Sequence, residues 1–449
     1  MDRMEPRVAA PRHHRMTPAP RVLSCLQLRC ANRDGGSTPG CWCNATVPRL
    51  CTRRADCQPL AIARRRAMPP EEPARRLAGS SAIADFFLAN VTRRSPSAST
   101  LYATNPSIVH DSGLVLLRVT PCSYCTEATL PICLSDHRVS SKSFVAIARR
   151  GEYQPAHYLR GLEDPKALIA HRTLYILANR YVPGRTAGIR RGLGRMSAWA
   201  SSTNQMGLVR FSYPELVPQG SWQPLKYSAA RQREKNWVAL AEVPAASPGD
   251  PLDGHPRSSM GGPPPPPDLL VSYSVEPHVV LRCTVIGLEC AMEHNTSAAS
   301  LFRRRLGGGS MVGRLLMYSH NVRLDELRGG SSCARMPRRD VTGLVPPGLD
   351  GLVCIGHWHN DFSLYMHFMY LVENVPPYRV TAVSYPFRFR RFFDDERDRV
   401  QFAAGTAVDE ASGILRISFG IADCVASETA IPTPDVAAML RGDLVVPRL

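Results

Sequence analysis

The chain has 449 residues, 44% of them apolar, and a net charge of +17. That much apolar material builds a large core and excludes a wholly disordered chain. No stretch reaches the ~18 uninterrupted apolar residues of a membrane span, so none is expected.

Residues 1–80 are rich in Arg, Pro, Cys and Ala without period, and read as a disordered extension. They hold 15 arginines against 6 acids, about half of the charge excess. A basic tail on a near-neutral body makes nucleic-acid binding through this extension a distant alternative, and no nucleic-acid partner is expected of the body. Only four of the 55 basic residues are lysine, Lys142, Lys166, Lys226 and Lys235. With 39 prolines and 32 glycines, this points to a GC-rich coding bias, against which the lysines stand out. The start of the chain has charge but no apolar run of the signal-peptide kind, which makes a cytoplasmic location the default. Six cysteines fall between 25 and 57 in spacings that match no zinc module. Cys122 and Cys125 form a lone CxxC, with Cys133 nearby, and read as neighbouring thiols rather than a metal site. Asn44, Asn90 and Asn295 each begin a glycosylation sequon, which has meaning only in a chain that enters the secretory route.

From residue 81 the texture changes. "SAIADFFLANV" at 81–91 is the one convincing amphipathic helix. After it, short β-rich runs recur at 107–119, 144–150, 174–182, 207–213, 269–275 and 278–286. More follow at 315–322, 351–359, 365–373, 379–385, 400–408 and 413–421. Gly, Pro, Asp and Asn bound them, and β-branched and aromatic residues fill them. Two basic or Pro/Gly-rich loops interrupt the pattern at 183–205 and 243–268, the second with five consecutive prolines. So many strands without alternating helices predict an all-β fold. A propeller over 81–449 absorbs this many short strands.

Polar clusters recur at the strand boundaries. They are Asn105-Pro106-Ser107, Glu163-Asp164-Pro165-Lys166, Glu234-Lys235-Asn236-Trp237, Glu276-Pro277-His278, Arg328-Gly329-Gly330-Ser331, His357-Trp358-His359-Asn360-Asp361 and Phe419-Gly420-Ile421-Ala422-Asp423. In a propeller, the ends of the inner strands converge on one mouth of the central channel. Taken alone, Glu163-Asp164-Pro165-Lys166 reads as a tight turn before a strand. His357-x-His359 places two imidazoles on one strand face, which suits a metal ion or a sugar contact.

The ordered set resembles the five-bladed β-propeller enzymes that act on β-mannosides: phosphorylases, hydrolases and their β-mannosyltransferase relatives. The resemblance spans about 100–430. It implies a five-bladed propeller that transfers a β-mannosyl-type unit with inversion, without a cofactor or metal. A glycan would be the substrate, and inorganic phosphate, a sugar phosphate or a nucleotide-sugar the second partner. Asp164 matches the general acid, which in the phosphorylases delivers its proton through a sugar hydroxyl. A carboxyl beside Glu163 and partly desolvated is expected to hold a proton, with Pro165 stiffening its aim. Lys235 and His278 match residues that hold the phosphate, and Arg118 is the candidate arginine of that pocket, with Arg180 behind it. Lys166 stands where relatives carry arginine, keeping the charge but losing the bidentate fork. Asn105, Glu163, Asp423 and His357 are assigned to substrate hydroxyls, and Trp237 to stacking on a pyranose. A hydrolase needs a second carboxylate as base, for which Glu276 and Asp361 are candidates. The rival reading is a glycan-binding propeller without catalysis.

Overall fold

The structure is a computed structural model. It describes the backbone at 41–43 and 57–59, and residues 74–90, 101–109, 113–121, 143–150, 152, 154–182, 203–229, 236–243, 267–306, 322–336, 349–359, 364–393, 396–446 and 449. The chain divides into a first unit, Met1–Arg64, and a second, Arg65–Leu449. In the first unit, β1 (Cys41–Cys43) pairs antiparallel with β2 (Cys57–Pro59). The strand expected at 315–322, the CxxC, Asn44, Lys235, Asp361 and the bulk of both loops lie outside the described residues.

The second unit holds five antiparallel sheets in chain order. The first is β3 (Tyr102–Ile108), β4 (Leu114–Thr120), β5 (Phe144–Arg149) and β6 (His157–Arg160). The second is β7 (Glu163–Ala170), β8 (Thr173–Val182), β9 (Thr203–Ser212) and β10 (Gln223–Pro224). The third is β12 (Val238–Val243), β13 (Asp268–Ser274), β14 (His278–Thr284) and β15 (Glu289–Thr296), with β11 (Lys226–Tyr227) added in parallel at its outer edge. In the fourth, β16 (Arg328–Gly329) and β17 (Ala334–Arg335) share one edge of β18 (Leu352–His359), followed by β19 (Tyr365–Val372) and β20 (Val380–Val383). The fifth is β21 (Gln401–Asp409), β22 (Ile414–Ile421) and β23 (Val425–Pro432).

The core explains why these sheets form a ring. Successive residues of a strand point to opposite faces, and each face here meets a different neighbour. Leu116 packs with Ile176 and Phe211 of the second sheet, whereas Leu117 packs with Ala407 and Ala426 of the fifth. Leu177 faces Leu269 and Leu281 of the third sheet. Leu270 faces Phe368 and Tyr370 of the fourth, and Ile355 faces Leu415 and Ile417 of the fifth. Five such clusters fill five gaps between sheets, so the sheets are the blades of a five-bladed β-propeller. Each fully buried Leu or Ile contributes roughly 1.5–3 kcal/mol.

Ring closure involves a segment ahead of the expected start of the fold. Leu77 donates its backbone N–H to Ala426 at 2.7 Å, and Arg76 bridges antiparallel to Ser427 of β23. Residues 74–77 thus run along the outer edge of β23, joined to it by a single bridge. The helix Ser80–Asn90 follows, as the sequence predicts, burying Ile83 and Phe87 against the first blade.

Candidate active site

The clusters carrying the chemistry lie on inner strands that are locally broken. The β3–β4 register shifts between Thr104 and Ser107, and the β7–β8 register between Glu163 and Lys166. Each shift holds an Asn-Pro or Asp-Pro pair. Proline has no N–H to give a ladder; β3 and β7 are edge strands of their sheets, and each accommodates it with a bulge. The residue before it takes up the irregularity: Asn105 has φ 45° and Asp164 φ 47°, in the left-handed region that Asn and Asp tolerate. The expected turn before a strand is therefore corrected. Glu163-Asp164-Pro165-Lys166 is itself the start of inner strand β7.

These two bulges aim their side chains at one another. Asn105 Nδ2 donates to Asp164 Oδ1 at 2.8 Å, and Thr104 Oγ1 donates to Asn105 Oδ1 at 3.2 Å. Arg118, on β4, donates to Asp164 Oδ1 at 3.4 Å and to Glu163 Oε1 at 3.3 Å. Its Nη1 also lies 3.7 Å from Oδ1 of Asp423. Asp423 sits in the β22–β23 turn with φ 51°. Asn179, on β8, donates to Glu163 Oε2 at 3.5 Å. The Arg118 guanidinium of the first blade thus gathers carboxylates of the second and fifth blades that lie 45 and more residues away in sequence. The repulsion expected between Glu163 and Asp164 is offset by Arg118, whose side chain is only 11% exposed.

Lys166, two positions along β7 and buried, places its Nζ 5.7 Å from the centre of the Phe402 ring. His357 is buried in the same wall, stacked on Tyr365 and edge-on to Phe402 at 5.2 Å. Farther along β7, Ala167 N donates to Ser332 Oγ at 3.1 Å, while Thr406 Oγ1 donates to the Ser332 carbonyl. Ser332 thus links inner segments of blades two, four and five.

Three expectations meet a different geometry. Trp237 is 1% exposed and edge-packed against Tyr227 and Tyr273, inside the cluster between blades two and three. Its faces are spent on the core, so it is no sugar platform. His278 is fully buried: Nδ1 donates to the Tyr378 carbonyl at 2.8 Å, which leaves Nε2 to accept from Ser272 Oγ at 3.1 Å. Burial pushes its pKa down to about 4, so the ring is neutral and has no donor left for a phosphate. Glu276 accepts from Ser297 Oγ at 2.6 Å and from Ala298 N at 2.8 Å, tethering the start of the helix Ala299–Leu306 rather than serving as a base. Arg180 is exposed and lies over the Trp222 ring at 5.5 Å. The side chain of His359 lies outside the described residues; among those described, no His, Cys, Asp and Glu group has a metal-binding arrangement.

Sequence reasoning missed the glycines that let the blades close on the site. A Cβ at Gly420 would fall 2.0 Å from Asn105 Oδ1. One at Gly329 would meet Val238 and the Asn236 carbonyl, and one at Gly330 the Ala403 and Ile355 carbonyls. The signal was present in "RGGS" and "SFGIAD", where glycine permits close backbone approach.

No family model and no curated protein matches the chain. Solved structures of similar fold include a β-1,2-mannobiose phosphorylase from Listeria innocua, at 12% identity and TM-score 0.42, over 76% of this chain and 93% of that one. A glycosyl hydrolase from Bacteroides ovatus, at 12% identity and TM-score 0.45, covers 81% of this chain and 95% of its own. A GDP-Man-dependent mannosyltransferase from Leishmania mexicana, at 12% identity and TM-score 0.38, covers 81% of this chain and 96% of its own.

Proposed function

We propose that the chain is a carbohydrate-active enzyme that transfers a β-mannosyl-type unit with inversion, with Asp164 as proton donor. The observation that carries this reading is the meeting of Asn105, Asp164, Glu163, Arg118 and Asp423 at one end of the inner strands. A turn or a fold-stabilising bridge needs one ion pair; here bulges from two blades are bent to bring a carboxylate and its orienting amide together.

In this reading Asp164 gives its proton to the leaving oxygen, and Asn105 fixes which carboxylate oxygen faces the sugar. Glu163 and Asp423 take substrate hydroxyls, held apart by Arg118. The nucleophile arrives from the opposite face in a single displacement, which inverts the anomeric carbon. Lys166 and Lys235 are the cations this reading assigns to an anionic partner; Arg118 is shared among carboxylates and His278 is neutral. Phosphate entering there makes the enzyme a phosphorylase; a nucleotide-sugar makes it a transferase, in which the diphosphate leaves with the bonding pair and Asp164 takes the acceptor hydroxyl's proton, the reverse of its role in phosphorolysis.

Mannose-1-phosphate and GDP-mannose are offered separately with a panel of glycan acceptors, and product and released phosphate or GDP are measured. Turnover with one donor, lost in Asp164→Asn while sugar binding persists, is expected. Sugar binding without turnover by the intact protein gives the glycan-binding reading instead.

A further inference from the structure

One sequon lies on a described, exposed strand. Asn295-Thr296-Ser297 closes β15, and Asn295 is exposed. Its neighbour His294 turns onto the Tyr378 ring, with centroids 5.4 Å apart. Alternation along the strand therefore places Asn295 on the opposite face of β15 from His294, where it is exposed. The outer edge of β15 is also unpaired there among the described residues. Among the described residues only Lys226 and Tyr227 pair with it, opposite Glu289 and Cys290.

An independent, covalent observation comes from the same hairpin. Cys283 of β14 and Cys290 of β15 form a disulfide, and a second joins Cys333 to Cys354 in the fourth blade. Disulfides form and persist in oxidising compartments and are rare in the cytosol. The lumen that forms them is also where sequons receive glycans.

We propose that the chain matures in an oxidising lumen and carries an N-linked oligosaccharide on Asn295. This departs from the cytoplasmic default of the sequence reading. In the transfer, the bond between the anomeric carbon and a lipid diphosphate breaks. The diphosphate leaves with the electron pair, the sugar carbon bonds to Asn295 Nδ2, and the amide loses one proton. Each disulfide forms with loss of two electrons and two protons to a protein-disulfide acceptor. The glycan would cover the unpaired stretch of β15, shielding an edge that otherwise invites strand pairing with another chain.

A single tryptic peptide, 283–303, contains Cys283, Cys290 and Asn295, because Arg282 and Arg303 are the flanking cleavage sites. Protein recovered from the cells that make it is digested without reduction. Its peptides are read by mass spectrometry before and after enzymatic glycan release in heavy-oxygen water. The peptide is expected only after release, with labelled aspartate at position 295 and two hydrogens lighter than the dithiol. An unmodified Asn295 peptide, or free thiols at Cys283 and Cys290, overturns the proposal. In a eukaryotic host, Asn295→Gln is expected to migrate faster by one glycan, and Ser297→Thr, which keeps the sequon, to migrate as the parent. Equal migration of Asn295→Gln and parent also overturns it.

Discussion

Asn105 of the first blade donates Nδ2 to Asp164 Oδ1 of the second at 2.8 Å, and both residues occupy left-handed bulges before proline. Each blade thus gives up ladder regularity at the point where its side chain reaches the centre. Asp164→Asn keeps this shape and removes the titratable proton. Turnover is expected to fall by ~10²–10⁴-fold, the usual contribution of a general acid. Sugar affinity, measured by calorimetry, should stay within about threefold, since each affinity change of tenfold needs about 1.4 kcal/mol. An unchanged turnover number would remove Asp164 from the chemistry.

Gly420 offers a test of that aim without touching a polar group. An alanine methyl would sit 2.0 Å from Asn105 Oδ1, so Asn105 must move. Gly420→Ala should lower turnover at least tenfold while the protein stays folded. The pH profile should keep its shape, because Asp164 remains. Comparable activity in Gly420→Ala and parent would show that the Asn105–Asp164 bond is dispensable.

Arg118 touches Glu163, Asp164 and Asp423, at 3.3, 3.4 and 3.7 Å. Removing it leaves three carboxylates facing one another in a poorly solvated place. Arg118→Met should therefore destabilise the fold toward the lower end of the ~3–5 kcal/mol of a broken buried pair. Adding Asp423→Asn should relieve part of that loss, a non-additivity visible in a denaturant double-mutant cycle. Strict additivity would show that Arg118 and Asp423 do not interact.

How much of this was legible in the sequence depended on what each residue's neighbours reveal. The strands could be read because β-rich runs bounded by turn residues persist even where both faces are buried, as at "LVLLRVT". The bulged inner strands could not, because Asn-Pro and Asp-Pro carry the signature of a turn. Trp237 and His278 lie in polar clusters at strand boundaries, just as Asp164 does. Only the packing of Tyr227 and Tyr273, or the carbonyl of Tyr378 a hundred residues away, tells core from mouth. The ordering of motifs identified the cluster; the direction in which each side chain points required the blades.

Two buried imidazoles make stability depend on pH. Burial pushes His278 down to about 4, against the opposing pull of its bond to the Tyr378 carbonyl. Burial, with Arg388 nearby, pushes His367 down to about 3. In the unfolded chain both return to the ordinary value of 6.5. Between these limits the unfolded state binds protons that the folded state refuses. Their contribution is therefore complete above about 6.5 and lost as pH falls, down to about 4 for His278 and about 3 for His367. The loss from His278 alone is about 3 kcal/mol. Urea unfolding between pH 7 and 4.5 should show this slope, reduced by about one proton in His278→Gln. Parallel pH profiles for the two proteins would mean that His278 titrates alike in both states.

The segment 74–77 separates the fold from what precedes it. Leu77 and Ala74 each donate a backbone hydrogen bond of 2.7 Å, to Ala426 and Arg391, and Ser427 Oγ donates to the Arg75 carbonyl at 2.7 Å. Leu77 is also 5% exposed within the cluster that joins blades five and one. Two variants isolate this contribution, one lacking 1–73 and one lacking 1–79. The second loses these bonds, at about 1 kcal/mol each, and the burial of Leu77. It also leaves β23 as an open edge. It should unfold on the order of 5 kcal/mol more easily than the first and self-associate at high concentration, as read by denaturant midpoints and light scattering. Equal midpoints would show that the ring closes without this edge segment.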